Sequence, residues 1–150
     1  MSRRIALSVV AGVVVLGGAG AFALAYAGDQ PPAFAHSTAR YTAPRAGHDG
    51  SLAFSTEVTA SSGVKSLKVL AWPQKSEFAK KPLTAKDMAG VESATCAPAE
   101  GDTARCTYRA VVSAADAASS PHGTWHVAVL ATAEDGSTTL DTEVTDFTVG

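Results

Sequence analysis

The feature that most constrains this fold is an alternation of apolar and polar residues with a period of two. It is clearest from Ser51 to Ala60, where Leu52, Phe54, Thr56 and Val58 fall on one face and mainly polar residues fall on the other. A strand places successive side chains on opposite faces of a sheet, so this spacing predicts half-buried strands. We expect seven strands, at 34–41, 51–60, 64–72, 91–96, 104–112, 124–133 and 137–149.

Residues that favour turns separate the predicted strands, and no long helical pattern lies between them. Asp135-Gly136, for example, is a strong signal for a hairpin turn. Many short strands joined by turns are typical of an antiparallel β-sandwich of the immunoglobulin or fibronectin type. The sequence therefore predicts an all-β, immunoglobulin-like sandwich of about seven strands. A small closed barrel would have the same list of strands and is the alternative.

Length, charge and composition limit the function classes. A chain of 150 residues allows one domain of ordinary size and excludes a two-domain cofactor enzyme. The formal net charge of −2 gives no concentrated basic surface, so we expect no nucleic-acid partner. Aromatic residues are only 7% of the chain. The core must therefore come from a few strands rich in Val, Leu, Phe and Trp.

The N-terminus has the three parts of a secretory signal. Arg3 and Arg4 are followed by an uncharged run from residue 5 to 27, which ends in the small residues Ala25 and Ala27 around Tyr26. A run of this length could also span a bilayer as an uncleaved anchor. Both interpretations, a cleaved signal and an uncleaved anchor, place the rest of the chain outside the cell, either secreted or anchored. They divide the chain into a signal or anchor at 1–27, a linker at 28–33 and a β-sandwich domain at 34–150.

The two cysteines, Cys96 and Cys106, both follow the export signal. An even number of cysteines in an exported chain predicts a disulfide. Pro98 and Gly101 lie between them and favour a hairpin turn, which would bring the two strands side by side. Closing such a short loop should stabilise the domain by about 2–3 kcal/mol.

The densest positive charge follows the third predicted strand. Trp72 ends that strand, and the connection after it carries Lys75, Lys80, Lys81 and Lys86. An exposed aromatic side chain beside lysines could anchor an acidic partner, such as an anionic cell-wall polymer or an acidic extracellular protein. The alternative is that these lysines only keep an irregular loop soluble. Trp125, by contrast, shares a face with Val127 and Val129 and is expected in the core.

No catalytic, metal or cofactor motif is recognisable. The chain lacks the Gly-x-Ser-x-Gly elbow of α/β-hydrolases. His122 and His126 are four residues apart, but on a strand this places them about 13 Å from each other, too far to share one ion. We therefore expect a loop histidine and a surface strand histidine, no metal and no cofactor. The predicted function is a non-catalytic extracellular binding module, with a small secreted hydrolase or protease inhibitor as the alternative.

One segment carries a resemblance to known modules. Gly123-Thr124-Trp125, the alternating strand after it and the turn at Asp135-Gly136 resemble the penultimate hairpin of bacterial immunoglobulin-like modules. With the Ala-rich leader and the cysteine pair, residues 34–149 resemble small secreted actinobacterial proteins of a domain family of unknown function. The resemblance implies an immunoglobulin-like fold outside the cell and no catalytic residues. It departs from antibody domains, in which the disulfide joins the two sheets.

Overall fold

The computed structural model describes residues 30–150, so the predicted signal or anchor at 1–27 lies outside the described residues. Just over half of the described residues lie in seven strands. They are β1 (Ala33–Thr42), β2 (Gly50–Thr59), β3 (Val64–Pro73), β4 (Thr95–Pro98), β5 (Thr103–Val112), β6 (Gly123–Ala133) and β7 (Thr138–Val149). A short 3-10 helix (Glu77–Ala79) follows β3, and a short α-helix, α1 (Ala114–Ser119), follows β5. No helix within 30–150 is long and apolar enough to cross a membrane.

The strands form two antiparallel sheets packed face to face. One sheet has the order β1-β2-β5-β4 and the other the order β3-β6-β7. This confirms the predicted all-β sandwich and excludes the alternative of one closed barrel for residues 30–150. Four strands against three in these orders is also the layout of constant-type immunoglobulin domains.

The main core lies between the two sheets and uses the alternating residues that the sequence singles out. Its buried members are Leu52, Phe54, Val58, Leu67, Val69, Cys106, Val127, Val129, Ala131, Phe147 and Val149. Trp125 packs against this core half-buried, as expected, and its ring stacks on Phe147 at 5.9 Å. The period of two therefore identified the inner face of each central strand correctly.

Strands β1 and β7 belong to different sheets but run side by side in the same direction. At their beginnings, the Thr139 hydroxyl donates to the Pro32 carbonyl at 2.6 Å. Near their ends, the rings of Tyr41 and Phe147 stack at 6.2 Å. These two contacts join the sheets along one side of the sandwich.

A second apolar cluster covers the outer face of the three-stranded sheet. The connection after β3 folds back over this face and buries Leu83 and Met88 against Trp72, Ala128 and Leu130. Strand β6 is therefore buried on both faces, which its continuous apolar run at 127–131 reflects. The connection is irregular, as predicted, but it packs against the sheet as a cover.

The predicted strand at 91–96 begins later than expected. Residues 92–94 bond instead to the edge of β3, where Val69 N–H donates to the Glu92 carbonyl and Ala94 N–H to the Leu67 carbonyl. The chain then crosses to the other sheet and forms β4 only from Thr95. The strand itself was predicted, but its start was wrong because the chain changes sheets within this segment.

The predicted disulfide is confirmed. Cys96 and Cys106 are register partners on β4 and β5, and their sulfur atoms are bonded. Gly101 has a positive φ of 57° in the connecting turn, a conformation that favours glycine. The bond joins two strands of one sheet, and it points to an oxidising environment such as the outside of the cell.

Candidate binding face

The outer face of the four-stranded sheet carries short polar side chains. Its central row holds four hydroxyl groups, one from each strand, at register positions that lie side by side: Thr38, Ser55, Thr107 and Thr95. The hydroxyls of Thr38 and Ser55 share a hydrogen bond at 3.1 Å. Because the core takes the alternate residues, these hydroxyls point away from it. We call this surface, with the arginines described next, the hydroxyl face.

Two arginines flank a groove in the next row of the hydroxyl face. Arg40 on β1 and Arg109 on β5 are both register neighbours of Ala53 on β2, which lies between them. Two strand spacings separate their backbones, about 10 Å. Both side chains are exposed, and neither forms an ion pair with a carboxylate of residues 30–150. The small Ala53 and the short hydroxyls leave an open groove of about 880 Å³ between the arginines.

One wall of the groove lies where β4 begins. There Tyr108 O–H donates to the Glu92 carboxylate at 2.7 Å. Partial burial, and then this hydrogen bond to a carboxylate, raise the pKa of Tyr108 to about 12. The phenol therefore stays protonated at physiological pH and holds Glu92 at the rim of the groove.

A charged cluster lies at the other end of the same face. Glu57 accepts hydrogen bonds from Arg105 at 2.7 Å and contacts His36 Nδ1 at 2.8 Å. The hydrogen bond to His36, aided by the charges of His36 and Arg105, lowers the pKa of Glu57. His36 has a positive φ of 54° at the bulge that shifts the register of β1. The bulge turns this ring onto the outer face.

Residues 34–131 of the chain, from β1 into β6, match the model of a protein family. The chain belongs to DUF5707, a family of unknown function. The expected likeness to a family of unknown function is confirmed, over a shorter stretch than the 34–149 predicted. Strand β7 of this DUF5707 protein lies beyond the matched residues. No curated protein matches the chain significantly.

In this DUF5707 protein the predicted contact region does not present its aromatic anchor. Trp72 is only 5% exposed, and its indole N–H donates to the Thr142 carbonyl at 2.9 Å. The expected exposure of Trp72 is wrong because the connection after β3 covers it. The four lysines, Lys75, Lys80, Lys81 and Lys86, are exposed on the outside of that cover.

His126 is also buried, which corrects the prediction of a surface histidine. Its Nδ1 lies 2.6 Å from Asp146, its Nε2 lies 3.3 Å from Glu143, and its ring is 4.6 Å from the ring of Trp72. A cavity of about 300 Å³ adjoins it under the cover. Among residues 30–150, no three His, Cys, Asp or Glu side chains are arranged to hold a metal ion.

The hydroxyl face was missed because its residues are scattered along the chain. Along the sequence, Arg109 and Thr107 stand out only as the polar side of the fifth strand, and Thr38 and Arg40 lie in the first strand, far away in sequence. Only the pairing of β2 with both β1 and β5 brings them together. The available signal was the pattern itself, since both β1 and β5 alternate Thr or Ser with Arg on one face.

Proposed function

We propose that this protein is an exported, non-catalytic binding module for an anionic partner, which it holds on the hydroxyl face. The observation that carries the proposal is the pair Arg40 and Arg109, exposed and without ion-pair partners among residues 30–150, on either side of a groove. The outer face of the other sheet is covered by its own chain. Among residues 30–150, the hydroxyl face is thus the broad sheet surface that no other segment covers.

The side chains of the groove suit a ligand that carries both acidic groups and hydroxyls. An arginine binds a carboxylate or a phosphate through two parallel hydrogen bonds. The four hydroxyls of the central row can each donate and accept. An anionic wall polymer, or an acidic segment of an extracellular protein, offers this combination. Glu92 at the rim would disfavour an acid placed directly beside it.

The four lysines of the cover form a second basic region, on the opposite side of the sandwich. Without an exposed Trp72 they offer charge alone, and charge on flexible exposed side chains contributes little to specific binding. We therefore assign the specific contact to the arginines and expect the lysines to contribute only salt-sensitive, non-specific attraction.

A salt series with matched charge changes tests the proposal. Binding of the full-length protein to cell-wall preparations is measured at several salt concentrations. The proteins compared are the wild type, Arg40→Glu/Arg109→Glu and Lys80→Glu/Lys81→Glu. Both variants change the net charge equally. We expect the arginine variant to bind at least about tenfold more weakly, a loss of about 1.4 kcal/mol, and the lysine variant to lose less. Equal losses of affinity in both variants would show that binding depends only on net charge and would contradict the proposed contact.

Export is supported by the disulfide and by the order of basic, apolar and Ala-x-Ala segments at the N-terminus. Cell fractionation with N-terminal sequencing separates the two forms. A start near Gly28 indicates cleavage, and an intact N-terminus in the membrane fraction indicates an anchor. Intact protein in the cytoplasm would contradict both.

A small secreted hydrolase is the second candidate, and the contact of His126 with Asp146 favours it. A histidine oriented by a carboxylate is one half of a nucleophile–base pair. Against it, the other ring nitrogen faces Glu143, and no serine or cysteine lines the adjoining cavity. Hydrolysis of a peptide, ester or glycoside panel that is lost in His126→Gln would favour this candidate over the binding module.

A further inference from the structure

The edge of β5 is left unpaired beyond the short strand β4. Pairing between the two strands ends at Thr95 and Thr107, because the chain before Thr95 turns away to the edge of β3. Strand β5 continues to Val112 and pairs there only with β2. Within the described part of the chain, the last five residues of β5, Tyr108 to Val112, therefore have no strand on their outer side.

The direction of the main-chain groups along this edge follows from the pairing of β5. The Thr103 carbonyl accepts from Ala99 N–H on the β4 side. In an antiparallel ladder alternate residues point to the same neighbour, and the register of β5 with β2 is continuous from Thr103 to Val112. The N–H and C=O groups of Arg109 and Val111 therefore point outward, two donors and two acceptors in a row.

The side chains of the same two residues lie on the hydroxyl face. Arg109 borders the groove and is free of ion pairs among residues 30–150. Val111 is 70% exposed and is the large hydrophobic residue that stands out at the surface of the described chain. An open main-chain edge thus coincides with one basic and one apolar side chain, spaced two residues apart.

We propose that an extended acidic peptide segment of another protein adds to this edge as a further strand. Its main chain pairs with Arg109 and Val111, as in other cases of strand addition. An acidic side chain of the segment lies opposite Arg109 and an apolar one opposite Val111. The acidic and the apolar residue are therefore two positions apart in the segment, whether it runs parallel or antiparallel to β5. This segment is one form of the anionic partner proposed above, so the assignment rests on the proposed function.

The test uses three synthetic peptides and the full-length protein. The first peptide is seven residues of threonine and valine with one glutamate two positions from a central valine. The second has lysine in place of the glutamate. The third keeps the glutamate but is N-methylated at alternate residues, which removes the donors a strand needs. Binding is measured by fluorescence anisotropy for the wild type, Arg109→Glu and the matched control Arg45→Glu, an exposed arginine in the turn before β2.

We expect the acidic peptide to bind the wild type and Arg45→Glu alike. The lysine peptide, the N-methylated peptide and the Arg109→Glu variant should each weaken binding about tenfold or more. Equal binding of the N-methylated peptide overturns strand addition, because charge alone then suffices. No binding of the acidic peptide at millimolar concentration also overturns it. If wall polymers still depend on Arg40 and Arg109 in that case, the proposed function survives without the added strand.

Discussion

At the scale of single residues, Trp72 is structural. Its ring is buried between the sheet and its cover, and its N–H is satisfied by the Thr142 carbonyl. We expect Trp72→Ala to lower the free energy of unfolding by about 3–5 kcal/mol, and Trp72→Phe to lose less because it keeps an aromatic ring. Urea denaturation measures both. A change below about 0.5 kcal/mol in the free energy of unfolding for Trp72→Ala would show that the ring is not buried.

The ionisation of Glu57 is a second test at this scale. Its lowered pKa means that the folded state favours the charged carboxylate, with the hydrogen bond to His36 as the main cause. The associated stability is present above the ordinary pKa of 4.5 and is lost as the pH falls through the lower folded value. In a carboxyl-resonance NMR titration, His36→Ala should raise the pKa of Glu57. The exposed loop variant His122→Ala should leave it unchanged.

Among the elements, β4 depends on its disulfide. It has only four residues and pairs with a single strand, so we expect the covalent bond to Cys106 to hold it in place. Cys96→Ala should lower the free energy of unfolding by about 2–3 kcal/mol and the melting temperature by about 10 °C. Scanning calorimetry checks this. Native protein in which both thiols react fully with a labelling reagent would show that no bond forms.

The cover over the three-stranded sheet makes a further prediction. Met88 is fully buried beneath it, whereas Lys86, two residues earlier, is exposed. Met88→Ala should lower the free energy of unfolding by about 2–5 kcal/mol, and Lys86→Ala should change it by less than about 0.5 kcal/mol. Similar effects of the two substitutions in urea denaturation would mean that the connection is a loose loop.

At the scale of the whole molecule, the sequence predicted what depends on local spacing and missed what depends on neighbours. The bounds of the six longer strands, the inner faces and the disulfide follow from alternation and turn residues within a few positions of each other, whereas the start of β4 does not. The burial of Trp72 comes from Leu83 and Met88, whose spacing matches no regular element, and His126 lies in turn against Trp72. The hydroxyl face requires β2 to lie between β1 and β5, and this order comes from long-range packing that no local pattern encodes.

The parallel contact of β1 with β7 determines how the domain responds to a pulling force applied at its two ends. Because these strands begin together at Pro32 and Thr139 and end together at Tyr41 and Phe147, pulling on the start of β1 and the end of β7 slides one strand along the other. Such loading strains the contacts at both ends of the two strands at the same time. The loop closed by Cys96 and Cys106, ten positions apart, stays locked and shortens the extended chain by about 30 Å. Single-molecule pulling with and without reductant should show that difference in length, and equal lengths would contradict it.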